Sequence, residues 1–207
     1  MRRTLSIFCG LLIFAATGTG QTHYGTTDVK TFRAGRDAEF RNRSESPLLD
    51  EDFANFKGLS YFETSDKFVV TAKLERGAGT EKFVLPTSAG TTRKYLKYGT
   101  LKFEIDGGEF ALTVFQPESM PKAAEFADLL FVPFRDLTNG KETYGGGRYI
   151  DLKTPVSETV VVNFNLAYNP NCAYGSDRYS CPVPPKENFL QIKIFAGERN
   201  FEHAPTL

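Results

Sequence analysis

The sequence predicts a mainly β fold: a single antiparallel barrel or half-barrel domain with N-terminal α-helices over one opening or edge. A two-sheet β-sandwich is the alternative. Three observations lead there. The apolar period is near 3.6 up to residue 58 and near 2 from residue 59 onward. The later part breaks into about nine short runs rich in β-branched and aromatic residues, bounded by Gly and Pro turn signals. No helix-length segment separates those runs, so parallel crossover units are not expected. The chain has 19 Phe and no Trp, and Phe alternating along strands suits a filled barrel interior.

The elements follow in order. Residues 26–44 read as a helix capped by Thr26, Thr27 or Asp28, with Val29, Phe32 and Phe40 near helical spacing. Arg33, Arg36, Arg41 and Arg43 read as its solvated face. Ser46 and Pro47 open a second short helix, whose Asp50, Glu51 and Asp52 suit the positive end; Phe53 and Phe56 face the core. Residues 68–74 form a strand, 76–80 a turn, and 81–85 pair back. In residues 93–105, Tyr95, Lys97, Leu101, Phe103 and Ile105 share one parity around a bulge at Gly99. Asp106, Gly107 and Gly108 signal a tight hairpin into 109–116, where Phe110, Leu112 and Val114 share a face. Residues 129–134, 148–152, 159–166 and 189–195 complete the strands.

The first twenty residues have the order of a secretory signal peptide. Arg2 and Arg3 precede an apolar run from Leu5 to Ala16, and small residues end it with cleavage after Gly20. The run is too short to span a bilayer. Cys9 lies inside it and lacks the small residues that a lipidation site places before its cysteine. The domain division is therefore 1–20 as signal peptide and 21–207 as one domain, with 26–58 helical and 59–207 antiparallel β. The expected location is periplasmic or secreted, with no transmembrane segment in the mature chain. The 25 Lys and Arg balance 25 Asp and Glu. That excludes the basic face a nucleic-acid partner requires.

Two cysteines remain after cleavage, Cys172 and Cys181, with eight residues between them. In an oxidising compartment a close pair reads as a disulfide. With Glu187 and His203 they could form a metal set, but zinc pairs use two to four intervening residues. No metal and no cofactor are predicted.

The last third concentrates Gly, Pro, Asn, Tyr and single charges in loops held by strands, where sites usually sit. Gly145, Gly146, Gly147 and Arg148 could cradle an anion, or simply make a tight connection into the strand at Tyr149. Asn163 and Asn165 could floor a pocket, or hydrogen-bond to loop backbone. The candidate ligand-binding set is Arg148, Tyr149, Asn163, Asn165, Tyr168, Asn169, Glu187, Asn188 and Glu198. Arg148 and Glu198 are expected to pair, since a lone buried charge is costly. Only His23 and His203 follow the leader, each near a terminus, where a general base is poorly held. Acid–base chemistry would instead use Glu187, Glu198, Asp151 or Asp136, paired with Tyr168 or Arg148.

The run TYGGGRYIDL at 143–152, NFN and AYNPNCAY within 163–174, CPVPPKEN at 181–188 and AGE at 196–198 together resemble the DUF1684 family. Residues 46–48, 56–62, 87–90 and 130–136 extend the resemblance to nearly the whole mature chain. The family has no known function, so the resemblance implies no catalytic residues. It does imply that the cysteine pair recurs in members without a leader, which leaves a reactive-thiol role open beside the disulfide. The functional expectation is an exported protein that binds a small, anionic ligand at the C-terminal loop cluster. The alternatives are a carboxylate- and Tyr-based hydrolase or lyase, and an envelope interaction module. Oligomeric state is left open.

Overall fold

The computed structural model describes residues 28–119 and 128–203. The expected leader, its expected cleavage point and His23 lie outside the described residues. The first helix, α1 (Val29–Arg41), starts at Asp28, whose carboxylate accepts from Lys30 N at 2.9 Å. The second, α2 (Asp50–Asn55), starts three residues later than Pro47 suggested. Ser46 and Leu48 are buried, and Arg178 donates to Ser46 O while Arg43 donates to Leu48 O. Those contacts hold the segment extended, so the acidic first turn begins at Asp50.

Eight strands make one sheet curled into a half-barrel: β1 (Val69–Arg76), β2 (Lys82–Pro86), β3 (Thr92–Ile105), β4 (Gly108–Pro117), β5 (Leu129–Asp136), β6 (Arg148–Lys153), β7 (Thr159–Asn163) and β8 (Phe189–Leu190). The order is β6-β5-β4-β3-β1-β7, with β2 also on β3 and β8 on β5. All pairs are antiparallel except β5 with β8. Asp106 and Gly107 both adopt positive φ, which makes the β3–β4 turn the tight hairpin expected.

Three readings of strands need correction. First, β2 does not pair back on β1. The 14-residue β3 is long enough to take β1 at Gly99 to Lys102 and β2 at Thr92 to Leu96, end to end along one edge. Second, the bulge between Lys97 and Gly99 reverses the faces. Lys97 pairs with Phe115 but Leu101 pairs with Leu112, and positions 115 and 112 point to opposite sides of β4. Tyr95 therefore packs on one face with Phe115, while Leu101, Phe103 and Ile105 pack on the other. Third, the run at 159–166 is strand only to Asn163, and the run at 189–195 is mostly not strand. Asn163 Oδ1 accepts from Asn165 N at 3.0 Å and turns the chain into the 3₁₀ segment Phe164–Leu166. Only Phe189–Leu190 joins the sheet. Beyond it, backbone groups at Ile194, Ala196 and Glu198 bond to Asp136 and Arg148 side chains instead of a ladder.

The concave face holds the main core, with Leu74, Leu101, Leu112, Val132, Phe134, Ile150, Val162 and Phe164. The opposite face of β3 to β6 carries a second core of Leu85, Tyr95, Phe115, Phe131 and Tyr149. It is covered by loops from 168 to 182. Tyr168 clips to Tyr149 by two backbone bonds, of 2.9 and 3.0 Å, along the β6 edge. A third cluster, Phe40, Leu48 and Tyr174, seats α1. No described helix is long and apolar enough to cross a membrane.

Candidate functional site

The Gly-rich connection makes no anion cradle. Gly147 has φ 98°, and a Cβ there would meet Pro184 Cγ at 2.7 Å and Phe134 O at 2.8 Å. Arg148 that follows is 0% exposed. Its Nη2 pairs with Asp136 Oδ2 at 2.8 Å and donates to Ile194 O at 2.9 Å; its Nη1 donates to Ala196 O and Glu198 O. Burial lowers the Arg148 pKa against the opposing charge of Asp136. The other Asp136 oxygen takes Thr138 N and Oγ1 and Ile194 N. Arg148 and Asp136 thus nail the C-terminal segment to the sheet. Glu198 meets Arg148 only through its carbonyl. Its buried carboxylate accepts from Asn169 N and Nδ2, both at 3.1 Å, and from the Tyr174 hydroxyl, and burial raises its pKa.

The expected amides are occupied in the same way. Asn165 exchanges two bonds with the Ser65 backbone, at 3.0 and 2.9 Å, and Asn163 orients Asn165. Asn188 bridges Thr113 N and O and Pro133 O, filling the gap where β4 and β5 share one residue pair. Asn169 joins Glu198 to Arg199 O. Glu187 is exposed and stands apart. Cys172 and Cys181 are bonded, with Cα atoms 6.1 Å apart, so they present no thiolates to a metal. His203 pairs with Asp52 at 2.7 Å.

One of the four carboxylates offered for acid–base chemistry, Asp151, and one of its two offered partners, Tyr168, behave differently. Tyr168 donates to Asp151 Oδ2 at 2.8 Å. Asp151 lies on the outer face of β6 opposite Phe131, and no backbone amide bonds its carboxylate among the described residues. Burial lifts its pKa to about 6, against the Tyr168 hydrogen bond and the Arg36 charge. The Tyr168 hydroxyl is pushed well above its ordinary range by burial and by Asp151. Both residues border a cavity of about 580 Å³ between α1 and the sheet, walled by Phe32, Arg36, Glu39 and Leu166.

Arg36 was missed as a solvated side chain. Its side chain is 15% exposed, lies 5.1 Å over the Tyr168 ring and 4.9 Å over the Phe40 ring, and pairs with Glu39 at 3.0 Å. Burial works to lower its pKa, and the charges of Tyr174, Glu198, Tyr168 and Glu39 outweigh that and raise it. The signal was present: Arg36 sits one turn from Phe32 and from Phe40, on the same helix face. The other helix arginines clamp backbone, Arg33 on Phe62 O and Arg41 on Lys57 O.

A second cavity, of about 290 Å³, lies beside the first and shares Tyr168 with it. A wider trough of about 1100 Å³ crosses β1, β3 and β4, but its Lys67 and Lys102 are already paired with Asp106 and Glu75.

Residues 54–199 match the family model DUF1684, described as a protein of unknown function. Asp151 and Tyr168 fall inside that span, and the α1 wall falls outside it. The chain is also similar to the solution NMR structure of an uncharacterized protein of Haloarcula marismortui. The two share 36% identity over 83% of this chain and 91% of that chain, with a TM-score of 0.65. No curated protein matches the chain.

Proposed function

The chain belongs to the DUF1684 family, and from that premise we propose that it is an exported protein that binds a small molecule in the cavity between α1 and β6. One observation carries this reading. Arg148, Asp136, Asn163, Asn165, Asn169, Asn188 and Glu198 are each held by two or more bonds to backbone or neighbouring side chains, though Arg148 Nε and Asn169 Oδ1 stay unpartnered, whereas among the described residues Asp151 bonds only Tyr168 and opens onto a cavity. A half-buried carboxyl left so is costly to the fold and useful to a ligand. The ligand set therefore moves from Arg148 to Asp151, Tyr168 and Arg36. Phe32 and Leu166 offer an apolar wall, and the floor accepts hydrogen bonds, so the ligand brings a donor group to Asp151. The Cys172–Cys181 bond and the leader-like order of residues 1–20 support export.

The test is mass spectrometry of small molecules released from the purified protein and from its Asp151→Asn variant. A compound retained by the parent and lost from an equally folded variant is expected. Equal retention by both, or no compound from either with no response in a ligand screen, overturns the reading. The second reading, acid–base catalysis by Asp151, is favoured by its pKa of about 6, close to neutral working pH. It is distinguished by turnover of the identified compound.

A further inference from the structure

We propose that the ligand is a flat aryl compound with a hydroxyl or amino donor at one end and a carboxylate or phosphate at the other, lying from Asp151 across Tyr168 to Arg93. This rests on the small-molecule reading of the Asp151 cavity. The two cavities share Tyr168 as a wall. A row of rings runs from that wall along the second cavity. Tyr168 meets Tyr149 at 5.8 Å, Tyr149 meets Phe131 at 4.7 Å, and Phe131 stacks on Tyr95 at 5.6 Å. The row ends at Arg93, two residues from Tyr95 and so on the same face of β3. The charges of Arg93 and Asp151 both act on the Tyr95 and Tyr149 hydroxyls, so both ends lie within electrostatic reach of the row.

The chemistry of the walls selects the class. Arg93 is exposed and gives one Nη2 bond, at 3.1 Å, to Ser180 O. No carboxylate pairs with it among the described residues, whereas Arg36 and Arg148 each hold an acid. Its remaining donors suit an anion. Between the ends three of the polar groups are occupied. The Tyr149 hydroxyl donates to Pro182 O, the Tyr168 hydroxyl to Asp151, and Ser180 Oγ bonds Thr87 and Thr91. What remains is ring surface, Pro170 and Pro182, with Asn171 and the Tyr95 and Tyr179 hydroxyls as the other polar groups of the lining. The surface between the ends is more apolar than polar, which favours a ring over a sugar. A planar ring packs there edge to face. The Cys172–Cys181 bond holds the outer wall of this second cavity in place.

The experiment is calorimetric titration of the disulfide-bonded full chain at neutral pH with 4-hydroxyphenylacetate, phenylacetate, phenol and methyl glucoside. The two-ended probe is expected to bind about tenfold or more tightly than either one-ended aryl probe. Arg93→Gln should weaken 4-hydroxyphenylacetate about tenfold and leave phenol unchanged, with Arg93→Lys retaining part of the affinity. Asp151→Asn should weaken phenol but not phenylacetate. The proposal is overturned if the glucoside binds best, if phenol matches 4-hydroxyphenylacetate, or if Arg93→Gln has no effect. If no aryl probe binds while an Asp151-dependent compound still co-purifies, only the aryl assignment fails. If no Asp151-dependent compound exists either, the small-molecule reading fails with it.

Discussion

Asp136 and Asp151 sit on adjacent strands, and their surroundings assign them opposite roles. Asp136 is enclosed by Arg148 and three further donors, so it belongs to the frame. Removing Arg148 leaves that carboxylate buried and unpaired. Arg148→Met should therefore lose about 3–5 kcal/mol in urea unfolding. Adding Asp136→Asn should recover part of it, and ligand binding per folded molecule should not change. Asp151 behaves in the reverse sense. Its pKa rises from 3.8 to about 6 on folding, so the native state holds the extra proton between those values. Stability then falls as pH rises through that window and levels off above it. For a half-buried group the loss is about 1–3 kcal/mol. Asp151→Asn should abolish this slope and be the more stable protein at pH 7 relative to pH 4, as followed by urea midpoints across that range. Parallel profiles would show that Asp151 has an ordinary pKa. Residue types in the C-terminal third correctly pointed to dense polar chemistry. Which of them face a cavity was not legible there, because Asn and Arg serving backbone look the same in sequence as Asn and Arg serving a ligand.

At the scale of elements, alternation identified most strands because one buried face imposes a period of two. Pairing was harder. The 14-residue β3 takes β1 and β2 in line, and nothing local to residues 81–85 states that their partner lies ahead rather than behind. The 189–195 run misled because its apolar positions are buried, yet its backbone is captured by Arg148 and Asp136. Gly99 and Gly107 separate two reasons for glycine in the β3 to β4 region. A Cβ at Gly99 would lie 2.6 Å from Glu75 O and 3.0 Å from Leu74 Cδ1. At Gly107 nothing lies within 4 Å, but φ is 76°. Gly107→Ala should cost about 1 kcal/mol from backbone strain alone. Gly99→Ala should cost about 1–3 kcal/mol, because the β1 backbone must move. Chemical denaturation of the two variants checks the order, and a Gly99→Ala protein as stable as the parent would mean that the bulge is not held by this close approach.

At the scale of the whole molecule, the half-barrel was legible because strand periodicity, hairpin signals and missing crossovers agree. The proposed site was partly legible: Asp151 was one of four carboxylates and Tyr168 one of two partners offered for acid–base chemistry, but their cavity needs α1 laid on the sheet, a contact far apart in sequence. The disulfide links this architecture to the proposed export. The Cys172–Cys181 loop closes over the second cavity and packs Ser88 Oγ 3.1 Å from Cys172 Sγ. In the chain-entropy treatment, a loop this short is worth about 2–3 kcal/mol. For a domain of this size that corresponds to about 5–10 °C in Tm. Protein made from the full sequence and recovered outside the cytoplasm should begin at Gln21 and carry no free thiol. The same chain made without residues 1–20 and kept reduced should melt about 5–10 °C lower. Its affinity for any ligand reaching Arg93 should also fall, since Ser180 and Pro182 flank the freed cysteine. Intact mass with thiol alkylation, and melting curves with and without reductant, read both quantities. Retention of Met1 in a cytoplasmic pool would defeat the export claim, and equal melting of oxidised and reduced protein would show that this loop is held by its hydrogen bonds alone.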